Sequence, residues 1–108
     1  GSKIVVYHPG RYVPEEAFPV NGKVNISEDE KRRLLDFEAD TIQKISSEFP
    51  EITICMENAR PYLFHSLYCY AERIEPLKEH VLKINKDNVR INLDLGHLYM
   101  DGVEILWL

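Results

Sequence analysis

The feature that most constrains the fold is a short apolar run that occurs three times and each time ends at a side chain able to bind a metal. The runs are KIVVY before His8, ITICM before Glu57 and VRINL before Asp94, with His97 close behind. Short runs rich in Val and Ile and bounded by turn residues are typical of buried strands. Parallel strands bring their carboxyl ends to one edge of a sheet, where α/β proteins assemble active sites. The sequence therefore predicts that these four side chains converge.

The segments between the runs predict two crossover helices. The sequence SEDE fits a capping box, and apolar residues recur behind it at helical spacing, so the first helix is predicted over residues 28–48. Pro76 is tolerated in a first turn but not in a helix interior, which predicts a second helix near residues 75–85. Strands are predicted near residues 3–8, 52–57 and 89–94. This alternation predicts an α/β fold with a parallel βαβαβ sheet and right-handed connections.

Strand alternation divides the residues of the three runs between two faces of the predicted sheet. One face is uniformly apolar and suited to packing against helices; it carries Val5, Tyr7, Ile52, Ile54, Met56, Val89, Ile91 and Leu93. The other face becomes polar along the series; it carries Ile4, Val6, His8, Thr53, Cys55, Glu57, Arg90, Asn92 and Asp94. Polar side chains such as Arg90 and Asn92 are odd on an uncovered open sheet, whereas inside a closed barrel they would be able to pair.

Composition narrows the class of protein. The chain has 108 residues, of which 44% are hydrophobic, enough for the core of one domain. With 13 basic and 18 acidic side chains its net charge is −5, which opposes attraction to phosphate, so nucleic acid is not an expected partner. Two cysteines are too few for a disulfide scaffold, and no run is long enough to span a membrane, so a cytoplasmic protein is expected. Gly1 and Ser2 are interpreted as an expression scar.

The three strand-end motifs resemble those of a known superfamily. They are HPG beginning at His8, EN beginning at Glu57 and DLGH from Asp94 to His97. In this order they resemble the xylose isomerase-like TIM-barrel superfamily, which contains sugar-phosphate isomerases and epimerases and also the endonuclease IV group of abasic-site nucleases. The match runs from about residue 3 to residue 100. The resemblance implies a (β/α)8 barrel, of which this chain would be a partial segment holding the third to fifth strands.

The resemblance also implies a divalent-metal centre. Glu57 and Asp94 would be carboxylate ligands, His97 a metal or substrate contact, and His8 the counterpart of the metal-binding histidine of the nuclease branch. Carboxylates with imidazole suit Zn²⁺ or Mn²⁺, with Mg²⁺ or Co²⁺ as alternatives, and such a metal polarises a sugar carbonyl or activates a water. In the epimerase branch paired glutamates exchange a proton beside the carbonyl. Glu57 would be one of that catalytic pair, and its partner would lie on a later strand.

Two departures from the pattern of the endonuclease branch bear on which branch of the superfamily the chain resembles more. The sequence ARPY after Asn58 lacks the glycine usual in the endonuclease branch, and Gly96 stands where that branch typically has cysteine. Both favour a fragment of a sugar or sugar-phosphate isomerase or epimerase over an abasic-site phosphodiesterase. Such barrels need about 250 residues, so the 108-residue chain is expected to be inactive alone. The third alternative is a non-catalytic α/β unit that self-associates through its open sheet edges.

The remaining polar and aromatic side chains lack a strand-end setting. His65 and His80 are expected to face solvent. Cys55 is expected to fill space as a small apolar group and Cys69 to lie in a loop, so neither is expected to be a nucleophile. A further group of aromatic residues is expected to pack locally rather than to line a sugar site; it comprises Tyr62, Phe64, Tyr68 and Tyr70.

Overall fold

Three parallel strands form the centre of the α/β fold. The computed structural model describes residues 3–12, 26–60 and 69–100, apart from the side chains of residues 98–100. In chain order the elements are β1 (Lys3–Tyr7), α1 (Glu28–Glu48), β2 (Ile52–Glu57), a 3-10 helix (Tyr70–Glu72), α2 (Ile74–Ile84), β3 (Val89–Asn92) and α3 (Leu95–Met100). The strand order is β1-β2-β3, and both pairings are parallel. The predicted α/β alternation and the parallel sheet are therefore confirmed.

The structure adds two elements to those predicted, the 3-10 helix and α3. Some predictions lie outside the described residues. These are the interpretation of residues 1–2 as an expression scar, the solvent exposure of His65, and the local packing of Tyr62, Phe64 and Tyr68.

The register of the strands puts the polar side chains on one face of the sheet. Val6 is the partner of Cys55, Cys55 is the partner of Arg90, and Glu57 is the partner of Asn92. Partners in a parallel register point to the same side, so the predicted division into two faces is confirmed for the residues within the three strands. The helices cover the other face. The core between helices and sheet contains Ala39, Ile42, Ile54, Met56, Leu77, Ile84 and Val89, each no more than 6% exposed.

Polar side chains fix both ends of α1. The Ser27 hydroxyl accepts the backbone N–H of Glu30 at 3.2 Å, which satisfies one of the free donors of the first turn. At the other end, the side-chain amide of Asn88 donates to the carbonyl oxygens of Ser46 (3.0 Å) and Ile52 (2.9 Å). Asn88 directly precedes β3, so one amide group joins the end of α1, the start of β2 and the start of β3.

Helix α2 begins at Ile74, with Pro76 at its third position. Leu77 donates the first bond of the helix, to the carbonyl of Arg73 at 3.4 Å, so the missing N–H of Pro76 breaks no intrahelical bond. After the helix, Asn85 adopts a left-handed conformation with φ of 53°, which asparagine tolerates better than most residues. Proline at the start and asparagine at the end therefore set bounds close to the predicted 75–85.

A buried carboxylate connects α1 with three other parts of the fold. The side chain of Glu38 is 11% exposed. Its Oε1 accepts from the hydroxyl of Tyr70, and its Oε2 accepts from the hydroxyl of Tyr7 at 2.8 Å and from the N–H of Gly10 at 3.0 Å. His80 Nε2 lies 3.2 Å from Oε1, out of line for a well-formed hydrogen bond. One glutamate thus holds the residues after β1, the 3-10 helix and α2 together.

The position of His80 corrects the sequence-based prediction that it faces solvent. Its side chain is 5% exposed, and its ring lies against that of Tyr70 with the centroids 4.6 Å apart. The prediction was wrong because α2 turns this residue toward Glu38 on α1, a contact between segments far apart in the chain. Cys69 is also buried, as the N-cap of the 3-10 helix.

The surroundings of Glu38 shift the pKa of its carboxyl group and the pKa values of nearby side chains. Burial alone would raise the pKa of Glu38, but the contacts from His80, Tyr70, Gly10 and Tyr7 stabilise the carboxylate and hold its pKa below the ordinary value. Burial, together with the nearby Glu38 carboxylate, raises the pKa of both tyrosines. Burial raises the pKa of the Cys69 thiol to about 12, and a thiol of this kind is inert toward substitution chemistry.

The lowered pKa of Glu38 predicts a specific loss of stability in acid. A group whose pKa is depressed by folding stabilises the protein above its unfolded pKa, and that contribution is lost as pH falls through the folded pKa. Glu38→Gln should lower the free energy of unfolding at pH 7 by about 2 kcal/mol, because donors to a charged acceptor lose their partner. The deficit should shrink below about pH 4.3, the ordinary pKa of glutamate.

Urea unfolding of the wild type and the variant between pH 7 and pH 3 measures this difference. Glu79→Gln is the matched control, since Glu79 is exposed on α2. A Glu38→Gln deficit that stays constant across this pH range would contradict the assignment.

Candidate functional site

The carboxyl edge of the sheet brings three of the predicted metal-binding side chains together. Glu57 is the last residue of β2, Asp94 lies between β3 and α3, and His97 lies in the first turn of α3. One ligand atom from each lies within 4.8 Å of the other two, and all three side chains are partly buried. This is the one such cluster of His, Cys, Asp and Glu found within residues 3–12, 26–60 and 69–100.

His8 lies at the margin of this cluster. Its Nε2 atom is 3.3 Å from Oε2 of Glu57, and its side chain is 77% exposed. The structure therefore places all four predicted residues at one edge of the sheet. The ligand atoms of Glu57, Asp94 and His97 surround a common point. His8 lies outside this group and contacts Glu57.

The ring of His97 is held in the orientation that a metal ligand needs. Its Nδ1 lies 2.8 Å from the carbonyl oxygen of Asn58. A carbonyl only accepts, so Nδ1 carries the proton, and in the neutral ring the lone pair is on Nε2. Nε2 lies 3.6 Å from Oδ2 of Asp94, facing the cluster. Metal-binding histidines commonly have their other ring nitrogen bonded to a carbonyl or carboxylate, which fixes tautomer and orientation.

Asn58 positions two members of the cluster and was not among the predicted site residues. It is 1% exposed. Its side chain donates to the carbonyl of Asp94 at 3.0 Å and accepts from the N–H of Asp94 at 2.5 Å, while its own carbonyl accepts from His97. The signal for it was present in the sequence as the second member of the EN pair after β2, but its role depends on contacts with a distant segment.

Asp94 acts as the cap of α3 while leaving one oxygen toward the cluster. Its Oδ1 accepts the backbone N–H of His97 at 3.0 Å, as an N-cap side chain does. A Cβ at Gly96 would lie 3.2 Å from this oxygen, so glycine leaves room for the carboxylate. Oδ2 makes the contact with His97 Nε2.

Both oxygens of Glu57 have polar neighbours. Oε1 accepts from the side-chain amide of Asn92 at 2.9 Å, and Oε2 lies near His8. Asn92 is the strand partner of Glu57, so the parallel register itself orients the carboxylate. Asn92, a polar residue within a strand, therefore serves to hold the Glu57 carboxylate in place.

A cavity of about 250 Å³ opens beside the cluster. It is lined by His8, Pro9, Arg11, Glu57, Asn58, Ala59, Arg60 and His97. Arg11 and Arg60 thus line the same space as Glu57 and the two histidines. A separate, apolar groove of about 400 Å³ lies between β1 and α1, on the helix-covered side of the sheet.

The donor set fits a divalent transition metal. Two carboxylates and one imidazole are hard and borderline ligands of the kind that hold Zn²⁺ or Mn²⁺ in catalytic sites, where a further position stays open for water or substrate. Asn58 donates a hydrogen bond to the backbone carbonyl of Asp94, and Asn92 donates one to the carboxylate of Glu57. These two bonds help to fix the orientation of the ligands.

Comparisons with protein-family models, with curated proteins and with solved structures found no match. The functional interpretation therefore depends on the geometry of the site. None of the described helices combines the length and the apolar character that are needed to cross a lipid bilayer.

The two-way contact between Asn58 and Asp94 predicts that truncating Asn58 damages both fold and site. Asn58→Ala removes the side-chain partner of the partly buried N–H and carbonyl of Asp94, so the free energy of unfolding should fall by about 1–3 kcal/mol. Zn²⁺ affinity should fall roughly tenfold, as for loss of an orienting group. Urea unfolding and calorimetric titration measure the two effects. The control is Ser47→Ala, an exposed polar position on α1, and unchanged Zn²⁺ affinity in a folded Asn58→Ala would contradict the role.

Proposed function

We propose that this chain forms part of a divalent-metal-dependent sugar or sugar-phosphate isomerase or epimerase of the xylose isomerase-like TIM-barrel type. The observation that supports it most directly is the meeting of Glu57, Asp94 and His97 within 4.8 Å at the carboxyl edge of a parallel sheet. Active sites of parallel α/β folds lie at this edge. The polar face of the sheet also supports a barrel, because polar residues such as Arg90 and Asn92 then point into a closed interior.

In the proposed mechanism the protein residues hold the metal and the reacting carbonyl in fixed positions. Glu57, Asp94 and His97 would hold the metal, and His8 contacts Glu57 from the rim of the cavity. When bound, the metal polarises the carbonyl of the sugar and lowers the cost of removing a proton from the adjacent carbon. Glu57 faces the cavity and serves as ligand or as proton acceptor, and a second glutamate from another strand completes the exchange.

The residues that line the cavity also support the proposal that the substrate carries a phosphate group. Arg11 and Arg60 line the same 250 Å³ space as Glu57 and His97. Guanidinium groups recognise phosphate through paired hydrogen bonds, and a cavity of this size suits a small molecule better than a duplex. The excess of acidic side chains, 18 against 13 basic, separately disfavours binding of a polyanion such as nucleic acid.

Metal titration tests the site on the chain itself. We expect the wild type to bind one Zn²⁺ or Mn²⁺ ion, and Glu57→Gln to lower the affinity at least tenfold, with about 1.4 kcal/mol lost per factor of ten. Glu48→Gln, at the exposed end of α1, is the control and should bind as the wild type does. Equal affinity in the wild type and Glu57→Gln would reject the assignment of Glu57.

The reaction class is tested on the intact enzyme that we propose. We expect metal-dependent exchange of deuterium from solvent into the carbon beside the carbonyl of an aldose or ketose phosphate, and loss of that exchange in the presence of a chelator. Metal-dependent nicking of an abasic duplex without any exchange would instead favour the endonuclease-like alternative.

Self-association is a second proposal, supported by the exposure of β1. Ile4, Val5 and Val6 are 72%, 46% and 47% exposed, and the outer edge of β1 has no strand beside it in the described sheet. The apolar groove between β1 and α1 adjoins this edge, with Phe37 72% exposed beside it. Exposed apolar edge strands pair readily with other strands, so we propose that copies of the chain associate through β1.

Light scattering tests this association. The wild-type chain should have a mass above the 12.6 kDa of the monomer, and Ile4→Lys should shift it to the monomer by placing a charge at the edge strand. Leu82→Lys is the matched control, because Leu82 is 65% exposed on α2 and should leave the assembly unchanged. A monomeric wild type at high protein concentration would contradict the proposal.

A further inference from the structure

His8 reaches the cluster from an exposed position. Its side chain is 77% exposed, and its described contact within the cluster is the one to Glu57 at 3.3 Å. An exposed side chain just beyond the end of a strand has many rotamers and a flexible backbone available to it, and ordering it costs conformational entropy. The contact with Glu57 therefore needs a support that fixes the backbone on both sides of His8.

Glu38 supplies contacts on both sides. The hydroxyl of Tyr7, one residue before His8, donates to Oε2 of Glu38 at 2.8 Å. The N–H of Gly10, two residues after His8, donates to the same oxygen at 3.0 Å. Pro9, between His8 and Gly10, is buried. A single carboxylate oxygen thus closes the turn that carries His8.

Several contacts hold the carboxylate itself in place. Glu38 lies in the middle of the long helix α1, and its other oxygen accepts from Tyr70 and lies 3.2 Å from His80 Nε2. Both oxygens are therefore engaged, so Glu38 has little capacity left to bind a metal or substrate. Its position fits support of neighbouring residues rather than chemistry.

We propose that Glu38 is a positioning residue for the metal site: through Tyr7 and Gly10 it fixes the turn that holds His8 against Glu57. This inference rests on the proposed function, because that proposal identifies the site as a metal site. The experiment on the position of His8, however, requires no metal. In the holo protein, Glu38 sets whether His8 takes part in binding while making no contact with the metal.

The two tyrosines provide a matched pair of variants. Tyr7 directly precedes His8, and Tyr7→Phe removes its donor to Oε2 of Glu38. Tyr70→Phe removes the donor to the other oxygen of Glu38, Oε1, from the 3-10 helix. We expect the nuclear Overhauser effect between the ring protons of His8 and the side-chain protons of Glu57 to be weakened in Tyr7→Phe and lost in Glu38→Gln. It should be retained in Tyr70→Phe. Tyr7→Phe carries the test if Glu38→Gln does not fold.

Retention of this effect in Tyr7→Phe and Glu38→Gln, or its equal loss in Tyr70→Phe, would overturn the positioning role. Absence of the effect from the wild type would overturn it as well. Each of these results is independent of whether the chain binds metal.

Titration with Zn²⁺ alone provides the second measurement. Glu38→Gln should weaken binding roughly tenfold, as expected for an outer support of a ligand. In a His8→Ala background the same substitution should have no further effect, because the residue through which it acts is gone. Additive losses in the double variant would show that Glu38 acts on general stability instead. A wild type that fails to bind Zn²⁺ would refute the proposed function, while the Overhauser measurement would still decide the role of Glu38.

Discussion

The parallel pairing of β2 with both of its neighbours is the constraint on which the site depends. Because the three strands run in the same direction, the residues that follow them emerge at one edge of the sheet. The register then pairs Glu57 with Asn92, and the next residue, Asn58, holds the backbone at Asp94. A shift of one residue in β3 would turn its polar side chains toward the helices and disperse the cluster.

Two glutamates show how the same side chain takes different roles in different surroundings. Both oxygens of Glu38 accept hydrogen bonds from other parts of the fold, and these contacts stabilise its ionised form. Glu57 has an amide on one oxygen, a histidine near the other, and a cavity in front of it. The first carboxylate therefore organises the fold, whereas the second is available to a metal or to a substrate. This contrast supports placing the proposed chemistry at Glu57.

Local patterns in the sequence were sufficient to predict the elements of the fold. The β-branched runs, the capping box at Ser27 and the tolerance for Pro76 depend on neighbours within a few residues, and the structure confirms the strands and helices that they predicted. Strand alternation also predicted which side chains share a face. The same reasoning predicted that His8, Glu57, Asp94 and His97 lie at one edge of the sheet, where the structure has them.

Features that depend on contacts between distant segments were not predictable in this way. His80 lies on an amphipathic helix where solvent exposure was the simplest expectation, and only the packing of α2 against α1 places it beside Glu38. Asn58 has its role because its amide meets Asp94 across the sheet. The short helix α3 has too few residues for a detectable period. The misses at His80 and Asn58 both concern a polar group whose partner is remote in sequence.

The central claim is that Glu57, Asp94 and His97 hold one divalent metal ion. The most direct measurement is an anomalous difference map at the zinc edge from crystals of the protein grown with Zn²⁺. We expect a single strong peak at about 2.0–2.2 Å from carboxylate oxygens of Glu57 and Asp94 and from Nε2 of His97. Zinc bound elsewhere on the protein, with no peak between these three residues, would contradict it.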